Sequence, residues 1–458
     1  MGPVKAVRGL DSGFNDDVND RMVSSIYRQA EVIASSCVKM AGSSIDLDRK
    51  IDDILTSKIY GYPIMLLLLS LIFWITLVGA KYPAEALYTL FFWGEERLTE
   101  LCLFLGIEDW LYGLLILGVY RGLAWVVAVM LPPMAIFFPL FTLLEDLGYL
   151  PRVAFNLDSI FKRAGAHGKQ SLTMSMGFGC NAAGVIACRI IDSPRERLIA
   201  ILTNNFVPCN GRFPTLIALS SIFIGGALAA SFGSMAAVLS VVGMVLIGIS
   251  VTLGVSWLLS KTLLKGVPSS FTLELPPYRK PQIAKVIVRS IFDRTIFVLM
   301  RAVKVAAPAG AVVWLLANVH TGGVSLLTHS ANFLEPFARL MGLDGMILMA
   351  FILGMPANEI VLPIMIMGYM AEGAMLELDS LMALKGLLLD NGWTLMTALS
   401  VMLFSLLHYP CGTTLLTIKK ETQSWKWTIL AAVIPLLAGI VVLIVLNQGI
   451  LVVQSILF

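Results

Sequence analysis

The chain has 458 residues, of which 57% are hydrophobic and only 14% are charged, and its mean hydropathy is +0.84. A water-soluble domain cannot bury so much apolar surface in one core, so lipid must surround most of the chain. The formal net charge of +3 is too small, and the Lys and Arg residues are too scattered, to indicate a nucleic-acid-binding protein. The six cysteines include no CxxC pair, which argues against a disulfide framework.

Residues 1–58 form a polar N-terminal segment that ends in a charged stretch between Asp46 and Asp53. Apolar residues recur in this segment at helical spacing, which predicts a small cytoplasmic helical element. The transmembrane domain is predicted at residues 59–458. We expect no cleavable signal peptide, because the first apolar run begins only near Tyr60 and is long enough to remain as an anchor.

Apolar windows of the length needed to cross a bilayer, about 20 residues, recur along the rest of the chain. Seven of them predict full transmembrane helices: 63–80, 122–147, 198–223, 235–259, 296–319, 394–418 and 429–446. Two further apolar windows, 171–191 and 346–370, are interrupted by glycine or proline. The basic loops at 152–169, 261–304 and 419–426 are assigned to the cytoplasm together with the N-terminus, since cytoplasmic loops collect Lys and Arg.

The N-terminus and these three basic loops can all lie on the cytoplasmic side only if the two interrupted windows enter and leave the membrane on the same face. We therefore predict an all-α polytopic membrane protein with two re-entrant or broken helices and an external C-terminus. In an alternative topology both windows cross completely. That topology also keeps the C-terminus outside, but it moves Arg195, Arg197 and the loop at 261–304 to the outer face.

The two interrupted windows belong to a weak internal repeat. The run from Gly177 to Asn181 (GFGCN) aligns with the run from Gly354 to Asn358 (GMPAN), and Pro208-Cys209 aligns with Pro410-Cys411 further downstream. Under the predicted threading, one window enters from the cytoplasm and its counterpart enters from outside. That arrangement is typical of inverted-repeat transporters, which bind substrate near the midplane where helices are discontinuous.

The interrupted segments are also where chemistry is expected, because non-helical backbone at membrane depth is tolerated only when buried in protein or lining a wet cavity. A thiol beside freed carbonyls and an Asn amide offers soft and hard donors together, which suits Fe²⁺ better than Mg²⁺ or Ca²⁺. A carboxylate within the apolar belt is costly and points to function. The predicted ion path therefore comprises Cys180, Asn181, Cys209, Asn210, Asn358, Glu359 and Cys411.

A second group of residues is predicted to gate this path or to lie at its mouth: Glu145, Asp146, Gly177, Gly179, Pro356 and His408. The two acidic residues end a long apolar run, where they would either concentrate cations at a pore mouth or act as ordinary solvated helix ends. The histidine would either assist the metal or simply pack. The remaining cysteines, Cys37, Cys102 and Cys188, are interpreted as packing residues.

The stretch from Ala164 to Ser171 places Gly-Lys near a Ser, as a phosphate-binding loop would. However, Arg163 stands where that loop requires Gly, and Gln170 stands where it requires Ser or Thr. The chain is therefore predicted to be a transporter that does not hydrolyse nucleotide by itself.

Four motifs resemble the membrane part of the bacterial ferrous iron transport protein B (FeoB) family. In chain order they are the LEDLGYLPRVAF run (144–155), the GFGCN run (177–181), the PCNGRFP run (208–214) and the YPCGTT run (409–414). The resemblance implies a first gate at about residues 122–224 and a second gate at about residues 343–446. It also implies that Cys180, Cys209 and Cys411 lie on the ion path.

The function implied by the resemblance is ferrous iron uptake across a bacterial cytoplasmic membrane, with Fe²⁺ as the transported ion and no permanently bound cofactor. It also implies a GTP-binding domain or a separate GTPase that acts in trans; a homo-oligomer is left open. Alternatives within transport are Mn²⁺, Zn²⁺ or a nucleoside-like solute. Alternatives of another class are a membrane thiol oxidoreductase and a non-transporting scaffold for a GTPase.

Overall fold

The computed structural model describes residues 44–57, 59–227, 230–265, 278, 282–375 and 380–457, together with several residues between Met22 and Cys37. These residues are mainly helical, and the only strands among them form a short hairpin of β1 (His320–Thr321) and β2 (Val324–Ser325). The predicted all-α class is therefore confirmed. The charged stretch from Asp46 to Asp53 falls within the first helix, and residues 1–21 lie outside the described part.

The helices are numbered here in chain order. The first half contains α1 (Ser44–Leu55), α2 (Gly61–Phe104), α3 (Asp109–Asp146), α4 (Tyr149–Arg163), α5 (Gln170–Gly179), α6 (Asn181–Ala187), α7 (Pro194–Thr203), α8 (Phe213–Leu219) and α9 (Ala230–Lys261). The second half contains α10 (Ile283–Ser290), α11 (Phe297–Asn318), α12 (Leu326–Leu340), α13 (Gly345–Leu353), α14 (Val361–Met370), α15 (Leu381–Asp390), α16 (Leu395–Leu407), α17 (Gly412–Thr422) and α18 (Trp425–Leu457).

Six stretches of the described chain are long and apolar enough to cross a bilayer: Gly61–Phe104, Asp109–Asp146, Met235–Lys261, Val298–Asn318, Leu395–Thr422 and Trp425–Ile450. A seventh span would be formed if α12 and α13, which meet at 110°, are counted together. Six of the seven predicted windows coincide with the six stretches, so the multi-pass membrane fold is confirmed. The window at 394–418 is, however, broken between Leu407 and Gly412 rather than continuously helical as predicted.

The remaining prediction, a full span at 198–223, is wrong. Here α7 ends at Thr203, and a 3₁₀ turn (Asn204–Phe206), an extended stretch and a second 3₁₀ turn (Asn210–Arg212) precede α8. Pro208 lacks a backbone donor, and the Asn side chains compete for backbone hydrogen bonds, so a continuous helix is disfavoured. A hydropathy window averages over this break because apolar residues flank it.

Both windows that were predicted to be interrupted are interrupted. One break separates α5 from α6 at Cys180, and the other separates α13 from a 3₁₀ turn (Asn358–Ile360) that leads into α14. Whether each window enters and leaves by the same membrane face stays a prediction.

The centre of the molecule is the stretch that contains α16 and α17, since 78% of its most apolar window is buried. The corresponding windows of α2, α9 and α18 are only 17–22% buried, which places these helices at the lipid-facing periphery. The largest buried apolar cluster joins α3, α13, α14 and α16. The breaks in the helices therefore lie in the protein interior, where non-helical backbone can be satisfied by other parts of the chain.

Candidate functional site

Four of the breaks between helices are numbered here in chain order: at Cys180, between Asn204 and Arg212, between Gly354 and Ala357, and between His408 and Cys411. The first and third breaks share one backbone conformation. Cys180 has φ −155° and ψ 125°, and Ala357, its counterpart in the sequence repeat, has φ −151° and ψ 123°. Asn181 and Asn358 begin the following helical segment in each case. The weak repeat in the sequence is therefore also a repeat of backbone geometry.

The second and fourth breaks also correspond to each other. Cys209 (φ −83°, ψ 169°) and Cys411 (φ −60°, ψ 157°) are both extended, and each directly precedes a helical turn. Each follows a proline, which removes one backbone donor. The proline also favours extended geometry in the residue that precedes it, which is Val207 at one break and Tyr409 at the other. Both cysteines therefore occupy the residue at which the chain re-enters helix.

Asparagine side chains connect the first, second and fourth breaks. Asn204 Nδ2 donates to the backbone carbonyl of Asn181 (3.1 Å), and Asn205 Nδ2 donates to the backbone carbonyl of His408 (2.7 Å). All four residues are buried. The Asn205 amide thereby pairs with a buried carbonyl just past the end of α16, as burial inside a membrane requires.

The third break joins the same assembly through two contacts. The backbone N–H of Gly412 donates to the carbonyl of Met355 (2.7 Å), which connects the third break to the fourth. Asn358 Nδ2 lies 3.9 Å from Cys209 Sγ, which connects the third break to the second. Four separate breaks in the chain therefore meet at one place.

An imidazole, an amide and a thiol lie side by side where the breaks meet. His408 is buried, and its Nδ1 lies 3.0 Å from the carbonyl of Phe404 and 2.9 Å from the carbonyl of Ser405. These carbonyls hold the ring proton on Nδ1, so Nε2 keeps the lone pair that binds metals. Nε2 lies 3.4 Å from Asn358 Oδ1, so two lone-pair atoms face each other, and Asn358 Nδ2 contacts the thiol of Cys209.

The remaining thiols and one carboxylate lie around this group. Cys180, Cys209 and Cys411 each lie at one of the breaks, and Glu359 directly follows Asn358 in the 3₁₀ turn after the third break. The carboxylate of Glu359 is also packed against Gly211, so a Cβ at that glycine would collide with Oε1. The Sγ of Cys411 lies 3.2 Å from the hydroxyl of Thr414.

The predicted gating residues separate into two groups. Gly177 packs against Asn204, Gly179 packs against a Phe ring, and Pro356 lies beside Gly412, so these three belong to the breaks themselves. Glu145 and Asp146, by contrast, are exposed at the C-terminal end of α3. Asn210, a predicted path residue, is half-buried in the turn after Cys209.

Arg212 is the main site residue that the sequence-based prediction missed. Its side chain is 1% exposed, and Nη1 donates to the carbonyls of Asn205 and Leu406, both at 2.8 Å. Nη2 lies 3.1 Å from Asn205 Oδ1 and within 3.4 Å of the carbonyls of His408 and Tyr409. One guanidinium thus bridges the second and fourth breaks. Its charge inside an apolar window was a usable signal, by the same reasoning that singled out Glu359.

Within the described ranges, no three His, Cys, Asp or Glu side chains are grouped closely enough to hold a metal ion. The donors that meet at the breaks are instead mixed: thiols, one imidazole and amide groups. Such an arrangement provides few strong ligands at any one point.

Two family models match the chain. The Gate model, described as nucleoside recognition, matches residues 127–223 and 299–425, which include all four breaks. The model described as the ferrous iron transport protein B C terminus matches residues 241–293. No solved structure is significantly similar to the chain.

Curated relatives extend the similarity over most of the chain. The Fe(2+) transporter FeoB of Staphylococcus aureus (strain MSSA476) is 31% identical over 408 residues, which cover 87% of this chain and 58% of that protein. The Fe(2+) transporter FeoB of Methanocaldococcus jannaschii is 28% identical, covering 93% of this chain and 62% of that protein. The chain thus spans about three fifths of the length of these relatives. It belongs to the ferrous iron transport protein B family and corresponds to the membrane region of that family.

Proposed function

We propose that this chain carries ferrous iron across a bacterial cytoplasmic membrane along a path through the four breaks. The path residues are Cys180, Cys209, Cys411, Asn358 and Glu359. The observation that carries the proposal is the convergence of four helix breaks, each bearing a thiol or an amide, in the buried centre of a multi-pass fold. The relatives are named as Fe(2+) transporters, which supports the choice of ion.

The chemistry of the donors supports Fe²⁺ over harder cations. Thiolate and imidazole ligands favour borderline and soft ions, whereas Mg²⁺ and Ca²⁺ prefer a shell made wholly of oxygen. A thiol must lose its proton to bind a metal ion, so Fe²⁺ binding at Cys209 would release a proton. His408, held by its Nδ1 contacts, supplies a further nitrogen donor next to Asn358.

The partner in this proposal is a GTP-binding domain or protein that acts on the membrane region from the cytoplasmic side, where we also place the N-terminus. The resemblance to a family whose members usually carry such a domain supports this part. The docking of α1 on α4 gives a route for the coupling. Arg152 of α4 binds Asp52 of α1 (2.9 Å), and Asn156 of α4 donates to the carbonyl of Leu55 (2.7 Å).

The test is Fe²⁺ flux into liposomes that contain the reconstituted chain, measured without oxygen and under reducing conditions. Cys209→Ser should lower flux by about tenfold or more, as loss of a metal-site group generally does. Cys188→Ser is the matched control, because Cys188 is also buried but hydrogen-bonds to Gly184 outside the four breaks. Unchanged flux in both Cys180→Ser and Cys209→Ser would refute the path.

A second candidate is a nucleoside-like solute, favoured by the description of the Gate model as nucleoside recognition. Uptake of a radiolabelled nucleoside into the same liposomes distinguishes the two candidates. Nucleoside transport would be favoured if the wild type showed saturable nucleoside uptake but no Fe²⁺ flux. The nucleoside uptake should then remain intact in Cys209→Ser.

A further inference from the structure

A groove of about 250 Å³ opens between α2, α4 and α5, with further lining from α3 and α9. Along α4 it is lined by Tyr149, Leu150, Val153, Leu157, Ile160 and Phe161. These residues span 12 helical steps, so the groove follows one face of α4 for about 18 Å at 1.5 Å per residue. Its shape is long and narrow.

The lining leaves little for a polar ligand to bind. The hydroxyl of Ser171 already donates to the carbonyl of Gly168 (2.8 Å), and the hydroxyl of Ser175 donates to the carbonyl of Ser171 (2.9 Å). Nearly all other lining groups are hydrocarbon or aromatic. The groove therefore suits an apolar chain, because an apolar occupant removes its walls from water without leaving polar groups unsatisfied.

The mouth of the groove faces the lipid. Leu66 and Ile160 both line the groove and are 57% and 38% exposed. Leu66 lies in the first turns of α2, which is one of the peripheral spans. The mouth is thus near the end of a membrane span, where the acyl chains of a bilayer begin.

Positive charge lies at one end of the same groove. Arg163, which is exposed, follows Ile160 by one turn of α4. Gly165 packs directly against Ser260, and this contact brings the exposed Lys261 at the end of α9 to the same end of α4. The apolar face of α4 beside these cations is typical of a helix that lies at a membrane interface and attracts anionic lipid.

We propose that the groove binds one acyl chain of an anionic phospholipid, whose headgroup is held by Arg163 and Lys261. The groove is connected to the four breaks through Phe178, which lines it and stands between Gly177 and Gly179, two residues before Cys180. The bound chain therefore packs against the last turn of α5 and supports the helix end from which the first break begins.

The binding test uses a phosphatidylglycerol probe with a photoactivatable diazirine on one acyl chain, incorporated into vesicles with the full chain. The expected result is crosslinking to peptides that contain 149–161 or 171–178. Leu157→Trp, which fills the groove, should reduce this crosslinking by about fivefold or more. Leu67→Trp is the matched control, because Leu67 is exposed to lipid and does not line the groove.

Headgroup recognition is tested separately with Arg163→Gln combined with Lys261→Gln, which are surface changes that should not affect folding. The double variant should lose the preference for phosphatidylglycerol over phosphatidylcholine probes while crosslinking at the groove persists. Equal crosslinking of both probes to the wild type would overturn the headgroup assignment. Absence of crosslinking at the groove, or crosslinks there to a second copy or another segment of this chain, would overturn the proposal.

Discussion

Arg212→Met should destabilise the protein by uncoupling the two halves where their breaks meet. The methionine keeps much of the aliphatic volume of arginine but donates no hydrogen bonds. In the wild type, Arg212 joins the carbonyl of Asn205 in the first half to the carbonyl of Leu406 in the second. The substitution leaves both carbonyls buried without this donor.

The size of the effect follows from the geometry. Two of the contacts are short, at 2.8 Å, and a hydrogen bond from a charged donor contributes about 1.5–3 kcal/mol, so their loss costs about 3–6 kcal/mol. The contact at 3.1 Å is of ordinary hydrogen-bond length, whereas those at 3.3 and 3.4 Å are long and contribute less. Removing a buried charge recovers part of its desolvation penalty, which leaves an expected net loss of about 2–4 kcal/mol.

The assay is thermal unfolding of detergent-solubilised protein, followed by tryptophan fluorescence and by the fraction that stays monodisperse after heating. Arg339→Met is the matched control, since Arg339 is largely exposed and pairs with Glu335 on the surface of α12. A melting temperature of Arg212→Met equal to that of Arg339→Met would refute the idea that the guanidinium joins the halves.

Two further predictions concern packing and pH. Gly310→Ala should destabilise the protein by about 1–3 kcal/mol, because the added Cβ would collide with the backbone oxygen of Gly118 where α11 crosses α3. Gly254→Ala in α9 is the control in the same melting assay and should have little effect, because its Cβ would meet open space. Burial acts to raise the pKa of Asp52, but the hydrogen bonds from Arg152 and Tyr278, together with the charge of Arg152, outweigh burial and lower it. Asp52 therefore stabilises the fold above its unfolded pKa of about 3.9, and this contribution is lost as pH falls below that value. Melting curves of wild type and Asp52→Asn should differ at pH 6 and converge below pH 4; a constant difference would contradict this linkage.

The membrane spans were predictable because lipid imposes strict requirements on the backbone. A chain segment in hydrocarbon must satisfy its own hydrogen bonds, so length and hydropathy identify most helices. The prediction of a full span at 198–223 failed because its polar residues form only a short run. Their hydrogen-bonding groups are paired with residues far away in the sequence. Asn205 bonds His408, which is 203 residues away. No local pattern reveals such a partner.

The thiols were predictable for a different reason. Cys180, Cys209 and Cys411 stand next to helix breakers, and the repeat relates their positions, so the sequence indicates both the breaks and their pairing. Arg212 was missed although its charge lies inside an apolar window, as the charge of Glu359 does, and neither residue has a charged counterpart in the repeat. Its partners, the carbonyls of Asn205 and Leu406, are brought to it only by the tertiary fold, so no local pattern reveals its role.

That asymmetry bears directly on how a cation would cross. The backbone repeats, but the charges do not: Arg212 aligns with Thr414, and Glu359 aligns with Ala182. Both charged side chains nevertheless lie at the breaks, with Glu359 packed against the residue that precedes Arg212. A divalent cation would be attracted by the carboxylate and repelled by the guanidinium, which already occupies carbonyl oxygens that could otherwise bind the ion. Movement of Arg212 away from these carbonyls would remove the repulsion and free the oxygens in the same step. On the path we propose, the repeated backbone would therefore provide the breaks, and the position of Arg212 would determine when an ion can occupy them.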